Sequence, residues 1–283
     1  MADKYPLDIT LLCSIGLEGG LKHYKNVLPD FSREELDIVH DWNIALKKKA
    51  KKPEYKSKLG SFGKLCLYLK PEIVAKIIDK FAVPYRSYYY AKRFLDAANF
   101  VSQKNDALSS TKIVDFGRGL SPWGPVVKNR HPWIEMYTFD TPLTDNLFID
   151  TTKSAGFELP KFNTEPENIN FEKDMFVSLG TFVYLDYDEQ VKKMKYAKEN
   201  FKNIFIELEK ENAQQQDKNI VNNMGTDYHQ GWNCKKVYAV FNGGTVYQIK
   251  SLLAPQDEEL LAEHRYTKTL NAAKQATEIF LVR

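Results

Sequence analysis

The stretch KIVDFGRGLSPWG, residues 112–124, carries the clearest structural signal in this sequence. Its apolar first half is typical of a strand and ends in Asp115 and a phenylalanine. Gly117 and Gly119 follow, and glycine permits backbone conformations and close ligand approach that a side chain would block. Pro122 then stands where a helix can begin, since proline is favoured in the first helical turn. This order predicts a strand, a ligand-binding turn and a helix in an α/β protein.

The chain after residue 110 alternates segments that favour strands with segments that favour helices. WIEMYTFD, the first half of DMFVSLGTFVYL, and NIFIELE are rich in apolar and aromatic residues, which indicates further strands. Between the last two, DYDEQVKKMKYAKENF predicts an amphipathic helix with a buried stripe of Val191, Met194, Ala197 and Phe201. Such alternation predicts a parallel sheet with helices on its faces.

The C-terminal part has a different pattern. KKVYAVFNGGTVYQIKSLL holds β-rich runs on both sides of Asn-Gly-Gly at 242–244, which predicts a hairpin, and ATEIFLVR predicts a last strand. We therefore predict an α/β fold with a Rossmann-like, mostly parallel sheet, helices on both faces and an antiparallel C-terminal hairpin.

The first hundred residues favour helices instead. DFSREELDIVHDWNIALKKKA opens near Ser32 with Glu35 three residues later, which is a capping-box pattern, and KPEIVAKIIDKFA begins at Pro71. SYYYAKRFLDAANFV is a further helical segment. The apolar stripes of the first two segments are Leu36, Val39, Trp42 and Leu46, then Ile73, Ile77 and Phe81. We predict a helical N-terminal cap or lid over 1–108 and a ligand-binding Rossmann-like domain over 109–283.

Composition limits the possible classes of protein. The 283 residues are 43% hydrophobic and 27% charged, with a formal net charge of +3, as in a globular protein that is not a polyelectrolyte binder. Cys13, Cys66 and Cys234 are far apart, which predicts neither a disulfide framework nor a metal site. The N-terminal apolar run is too short for a signal peptide, and no run is long enough to span a bilayer. We expect a cytoplasmic protein with no membrane partner and no metal.

A lysine-rich run, KKKAKKPEYKSK at 47–58, allows two interpretations. Its seven lysines and one glutamate suit a solvated helix end and loop, or a patch for nucleic acid or an acidic partner. Because no arginine and only Tyr55 among the aromatics accompanies the lysines, we favour the solvated surface and expect no nucleic-acid partner.

The residues around the glycine turn narrow its ligand. Asp140 ends the second predicted strand, where a carboxylate is well placed to accept ribose hydroxyls. A dinucleotide turn has the pattern G-x-G-x-x-G, but Pro122 replaces its third glycine here. S-adenosylmethionine has no pyrophosphate to cradle, so a tight turn and a ribose-binding acid suffice for it. The pattern favours S-adenosylmethionine over a dinucleotide.

Three short motifs within residues 85–210 resemble the leucine carboxyl methyltransferase family and its polyketide O-methyltransferase relatives, which are class I S-adenosylmethionine-dependent methyltransferases. AKRFLDAANFV is similar to a family helix that bears an arginine followed by an aspartate. KIVDFGRGL is similar to the strand and the L-G-A-G-L-D-T turn. FVSLGTFVYLDYDEQV is similar to E-G-v-L-x-Y-L and an acidic helix start, with Gly180, Tyr184 and Leu185 matching.

The resemblance implies which residues bind S-adenosylmethionine and its product S-adenosylhomocysteine. The implied cofactor-binding set is Lys92, Arg93, Asp115, Gly117, Gly119, Asp140, Glu172, Leu179 and Gly180. Within it, Asp140 would hold the ribose and Glu172 would contact the adenine region. Lys92 or Arg93 would reach the methionine carboxylate, and the forked guanidinium makes Arg93 the preferred residue.

The chain departs from the family pattern at several positions. Arg118 replaces the alanine between the glycines, where a cation would face the cofactor carboxylate or point to water. Ser121 and Pro122 replace the D-T pair. Leu179 replaces the glutamate of the E-G pair, which the resemblance places near the reacting centre. This last departure supports an alternative: a non-catalytic protein that binds S-adenosylmethionine.

Methyl transfer is an in-line displacement in which the enzyme mainly positions the acceptor and excludes water. A phenol or alcohol acceptor benefits from a base, and a carboxylate needs none. The segment GTDYHQGWNC contains Tyr228 and His229, and it can line an acceptor pocket or form a polar turn. Together with Tyr184, these are the candidate catalytic residues.

The sequence thus predicts an S-adenosylmethionine-dependent methyltransferase that acts on an oxygen of a small molecule or on a carboxyl group. The alternatives are an NAD(P)-dependent oxidoreductase, the non-catalytic binding protein and, from the lysine run alone, an RNA methyltransferase. The sequence has no zinc-ligand pattern, no P-loop and no nucleophile elbow.

Overall fold

A computed structural model describes residues 7–24, 31–79, 112–162, 175–178, 181, 185, 187–201, 203–209, 246–249 and 277–282. Among these residues, no helix combines the length and the apolarity that crossing a bilayer requires.

The strands form a single seven-stranded sheet. They are β1 (Lys112–Phe116), β2 (Glu135–Phe139), β3 (Lys161–Phe162), β4 (Met175–Ser178), β5 (Asn203–Glu209), β6 (Val246–Ile249) and β7 (Thr277–Val282). Their order across the sheet is β3-β2-β1-β4-β5-β7-β6. The first five pair in parallel, and β7 is antiparallel to β5 and β6. The mostly parallel α/β sheet is confirmed.

The central position of β1 explains its composition. Ile113 and Val114 are fully buried, and neighbouring β4 buries Met175, Phe176 and Val177 completely. A strand of a parallel sheet is covered on both faces, so its apolar residues form a continuous run rather than alternating with polar ones. The short apolar runs in the sequence are therefore the inner strands of this sheet.

The C-terminal strands match the prediction only in part. β6 and β7 pair antiparallel, with Val246 opposite Val282. The predicted hairpin is a different pair, formed by the β-rich runs before and after residues 242–244. The run before these residues lies outside the described part of the chain. The hairpin therefore stays a prediction.

Helices make up most of the described N-terminal part and connect the strands. They are α1 (Leu7–Tyr24), α2 (Arg33–Ala50), α3 (Pro53–Lys56), α4 (Ser61–Cys66), α5 (Pro71–Asp79), α6 (Trp123–Arg130), α7 (Pro142–Ala155) and α8 (Tyr187–Asn200). The helical segment predicted at SYYYAKRFLDAANFV lies outside the described residues, and the division into a cap and a binding domain stays a prediction.

Helix α2 begins as the sequence predicts and packs against α7. The Ser32 side chain accepts from the Glu35 N–H, and the Glu35 carboxylate accepts from the Ser32 N–H, which completes the capping box. The indole of Trp42 is fully buried, donates to the Thr152 hydroxyl at 3.1 Å and lies 5.7 Å from the Phe148 ring. These contacts join the N-terminal helices to the helix that follows β2.

The predicted apolar stripe of α5 is wrong at its first residue. Ile73 is 43% exposed, whereas Val74 and Ala75 are buried. Helix α5 packs closely on α1 at Gly19, where a Cβ atom would lie 2.1 Å from the Pro71 carbonyl oxygen and 2.9 Å from the Ala75 Cβ. This close contact rotates the Ala75 side of the helix inward.

The lysine-rich run covers the end of α2 and all of the short helix α3, where a loop was predicted, and several of its lysines have local partners. Lys52 pairs with Asp150 at 3.2 Å and with Glu54 at 3.6 Å. The ammonium groups of Lys51 and Lys56 lie 4.7 and 5.4 Å from the centre of the exposed Tyr68 ring. The interpretation of the run as a solvated surface stays a prediction.

Candidate functional site

The glycine turn after β1 has the conformation that its sequence demands. Gly117 has φ +76° and Gly119 has φ +64°, a left-handed region that side chains disfavour. The Gly117 N–H donates to the Phe139 carbonyl at 2.8 Å, which fixes the turn to the end of β2. A Cβ atom at Gly119 would meet nothing closer than Thr10 at 3.6 Å. Both predicted glycines therefore form a tight turn, and its second glycine is open on the Cβ side.

The segment after β4 holds the other side of the turn. The Thr181 hydroxyl donates to the Gly117 carbonyl at 3.0 Å, and the Ser178 hydroxyl donates to the Phe116 carbonyl at 3.1 Å. A Cβ atom at Gly117 would lie 2.1 Å from the Thr181 hydroxyl oxygen. Since β1 and β4 are neighbours where the strand order reverses, the turn lies at the switch point at which open α/β sheets bind ligands.

Asp140 lies directly beside the turn, as the sequence predicts. One of its carboxylate oxygens accepts from the Gly119 N–H at 2.6 Å and the other from the Thr141 N–H at 2.7 Å. Desolvation raises the pKa of Asp140, while the Arg118 charge and the hydrogen bonds from Gly119, Thr141 and Thr144 lower it. The Asp140 carboxylate thus helps to hold the turn through both of its oxygens.

Asp115 is the second acid of the site and is only 5% exposed. Its pKa is raised to about 7, mainly by burial and to a smaller extent by the nearby Asp140, while the Arg118 charge opposes the rise. Within the described residues the Asp115 carboxylate has no hydrogen-bond donor, and its β2 neighbour in the sheet register is Thr138. A buried carboxyl with a pKa near neutrality beside a glycine turn is suited to a polar or cationic ligand.

Arg118 does not point to water. It is 7% exposed, and its guanidinium carbon lies 3.7 Å from the centre of the Phe148 ring. The guanidinium also pairs with the Asp145 carboxylate and donates to the Gly119 carbonyl at 2.8 Å. Both partners on α7 lie beyond the reach of short sequence motifs, so neither Asp145 nor Phe148 is among the predicted site residues.

Thr181 and Ser178 are likewise missing from the predicted site. Each hydroxyl is bonded to a backbone carbonyl more than sixty residues earlier in the chain, across the β1–β4 boundary. Their only sequence signal is position, since they flank Leu179 and Gly180 of the third motif.

The other predicted site residues lie outside the described part of the chain. They are Lys92, Arg93, Glu172, Leu179, Gly180, Tyr184, Tyr228 and His229. The structure therefore brings together Asp115, Gly117, Gly119 and Asp140, and leaves the acceptor side as a prediction. Among the described residues, no group of three or more His, Cys, Asp or Glu side chains is arranged to hold a metal ion.

Comparisons with known proteins give structural likenesses at low sequence identity. No family model matches the chain, and no curated protein matches it. The plantazolicin methyltransferase BpumL in complex with SAH is 9% identical, with 88% of this chain and 97% of that chain covered at a TM-score of 0.49. Magnesium protoporphyrin IX methyltransferase from Synechocystis PCC 6803 with bound SAH is 9% identical, with 71% and 86% covered at 0.47. An O-methyltransferase family protein from Burkholderia thailandensis is 13% identical, with 92% and 76% covered at 0.46.

Proposed function

We propose that this protein is an S-adenosylmethionine-dependent methyltransferase. The observation that carries the proposal is the turn after β1, where two left-handed glycines lie at the switch point and the acid that follows β2 binds the N–H of the second. The Asp140 carboxylate, the backbone of the turn and the buried Asp115 are the groups that we propose to bind the ligand.

The same region argues against a nicotinamide dinucleotide. A dinucleotide turn uses a third glycine to bring helix and strand close together. Here Pro122 stands at that position as the residue before α6, and α6 has no side-chain cap. The sheet departs as well, because the strand beside β5 is the antiparallel β7, whereas the dinucleotide fold continues with parallel strands.

The residues present fit S-adenosylmethionine. An ionised carboxylate can accept about four hydrogen bonds. Gly119, Thr141 and Thr144 supply three donors to Asp140, which leaves capacity for one ribose hydroxyl. In its ionised form Asp115 adds a negative charge suited to the cationic methionine end, and its pKa of about 7 makes that charge depend on pH near neutrality. When bound, the cofactor supplies a methyl group on a sulfonium; the chain orients it, excludes water and positions the acceptor.

The finer assignments are also part of the proposal. The methyl acceptor is an oxygen of a small molecule or a carboxyl group, positioned by Tyr184, Tyr228 and His229. The 1–108 segment covers a cofactor held by the 109–283 domain, in a cytoplasmic protein. If Leu179 removes the reacting-centre acid altogether, the protein binds the cofactor without transferring its methyl group.

Calorimetric titration with S-adenosylmethionine and S-adenosylhomocysteine tests the proposal, with NAD and NADP titrated in parallel. We expect binding of the two adenosyl compounds and no heat with the dinucleotides. Folded protein that binds neither adenosyl compound would overturn the cofactor assignment, and dinucleotide binding would favour the oxidoreductase. Methyl transfer in an acceptor screen then separates an enzyme from a non-catalytic binder.

The variant Asp140→Asn tests the ribose assignment. It keeps the size of the side chain and removes the charge, so we expect affinity for S-adenosylhomocysteine to fall about 10- to 100-fold. Asp150→Asn is the matched control, because Asp150 lies on α7 and pairs with Lys52 away from the turn. Equal affinities for the two variants would show that Asp140 does not hold the ligand.

A further inference from the structure

We infer that Arg118 is a positioning residue that fixes the glycine turn and supplies the positive charge which keeps the Asp115 and Asp140 carboxylates competent to bind the cofactor. This inference rests on the proposed function and adds to it a residue at which the chain departs from the resembling family. It also resolves what a large cation does between two glycines.

The geometry shows how Arg118 holds the turn. Its guanidinium lies against the Phe148 ring and pairs with Asp145, so α7 fixes it from two sides. The same guanidinium donates to the Gly119 carbonyl at 2.8 Å, while the N–H of that glycine donates to Asp140 at 2.6 Å. The Gly119 carbonyl thus accepts from a cation and its N–H donates to a carboxylate, so both backbone polar groups of this glycine are bound.

The charges show why a cation is needed there. Asp115, Asp140 and Asp145 surround the turn, and burial raises the pKa of each. The Arg118 charge lowers the pKa of all three. On the neighbouring helix α8, the Lys193 ammonium lies 5.6 Å from the centre of the Phe116 ring. Arg118 therefore offsets the mutual repulsion of three acids.

Ligand chemistry makes this charge balance matter. A ribose hydroxyl binds most strongly to an ionised acceptor, and a cationic ligand group needs a negative partner. Protonation of Asp140 weakens its hydrogen bond to the ribose, and protonation of Asp115 removes the negative charge that faces a cationic ligand group. Arg118 consequently sets the pH below which the cofactor dissociates.

Two variants of the same ion pair separate this role from a structural one. Arg118→Met removes the cation, so the carboxylates become neutral at higher pH. We expect the acidic midpoint of S-adenosylhomocysteine binding to rise by about one pH unit. Asp145→Asn leaves the cation in place and removes a competing anion. Its midpoint should stay at the wild-type value or fall.

The measurement is the calorimetric dissociation constant for S-adenosylhomocysteine between pH 5 and 8, with each variant shown to be folded at every pH. Arg118→Lys should retain the wild-type midpoint with weaker binding, since it keeps the charge and loses the planar stack on Phe148. Arg130→Met is the matched control, because it removes a different paired arginine and should not move the midpoint.

Three results would overturn the inference. They are midpoints of Arg118→Met and Asp145→Asn that move together, a midpoint that follows thermal stability alone, and an Arg118→Lys midpoint like that of Arg118→Met. If Arg118→Met does not fold, Arg118→Gln takes its place in the same comparisons, since it also removes the charge. Failure of wild-type protein to bind S-adenosylhomocysteine would instead overturn the proposed function, so the two failures are distinct.

Discussion

Arg130 and Arg118 each pair with a carboxylate inside the fold, yet the two regions that they hold differ in what surrounds the pair. Arg130, at the end of α6, contacts both oxygens of Glu35 at 2.6 and 2.7 Å. Glu35 is 3% exposed, and its carboxylate also accepts from the Ser32 N–H at 2.8 Å. The Glu35 carboxylate is therefore bound by a helix cap and by a guanidinium, and both contacts stabilise the fold.

The region around Arg118 is arranged differently. Besides Asp145, the ion-pair partner of Arg118, this region contains Asp115 and Asp140, and burial raises the pKa of both. No donor within the described residues binds Asp115, and Asp140 is partly exposed. One arginine pair thus joins two helices, whereas the other stabilises a turn flanked by two further acids, which we propose bind the ligand. The first should affect stability alone, and the second should affect stability and binding together.

Arg130→Met should have the largest effect on stability. It leaves the Glu35 carboxylate buried without its cation, so we expect the free energy of unfolding to fall by about 3–5 kcal/mol. Urea denaturation measures the loss. Binding of S-adenosylhomocysteine by the folded variant should be unchanged, and a loss of affinity of more than threefold would break the distinction between the two regions.

The ligand-free site should make stability depend on pH through Asp115. Its pKa is about 7 in the folded chain, against an ordinary value of 3.8. Between these values the unfolded chain loses a proton that the folded chain keeps, so stability falls as pH rises and levels off above about 7. From pH 4.5 to 8, wild-type protein should lose on the order of 3 kcal/mol more than Asp115→Asn.

Urea unfolding at the two pH values checks this difference, with Asp150→Asn as the control for an acid outside the site. Parallel pH dependences for wild type and Asp115→Asn would show that Asp115 ionises normally in the fold. The site would then lack the unfavourable burial that distinguishes it from the Arg130 region.

Gly117→Ala tests whether the turn tolerates a side chain. The alanine backbone would have to keep φ +76°, and its Cβ would approach the Thr181 hydroxyl oxygen. We therefore expect the free energy of unfolding to fall by about 2.5 kcal/mol and cofactor binding to weaken. Gly156 has φ +78° with no atom within 4 Å of its Cβ position, so Gly156→Ala should cost only about 1 kcal/mol. Thermal or urea unfolding compares them, and equal losses would mean that the Thr181 contact is easily relieved.

The sequence predicted the parts of this molecule whose causes are local. The strand Lys112–Phe116, the glycine turn and the Ser32 cap each depend on a few neighbouring residues. Asp140 was also predictable, because parallel strands end at the same edge of a sheet. These features could be read without knowing what packs against them.

The features that sequence reasoning missed depend on distant contacts. Arg118 and Asp145 are 27 residues apart, and Thr181 reaches Gly117 across 64 residues. Helix α1 lacks a polar face in its described part, because it is buried almost all round and carries three glycines, so no amphipathic period marks it. The inward face of α5 was mispredicted because a glycine on α1, not apolarity on α5, decides it.

The smallest effect should come from Ser32→Ala, which removes the side-chain cap of α2 and leaves the Arg130–Glu35 pair in place. We expect a loss of about 1 kcal/mol, because the Glu35 N–H loses its acceptor at 3.1 Å. Ser61→Ala is the matched control, since Ser61 is exposed and lies in the first turn of α4, whose N-cap is Gly60. A double-mutant cycle between Ser32→Ala and Arg130→Met sharpens the comparison. Both changes act on Glu35, so their losses should differ from additivity by at least about 0.5 kcal/mol. The stability losses of Ser32→Ala and Arg118→Met should be additive, because the Ser32–Glu35 and Arg118–Asp145 pairs share no residue. Additive losses in the first cycle would mean that the cap and the ion pair stabilise α2 independently.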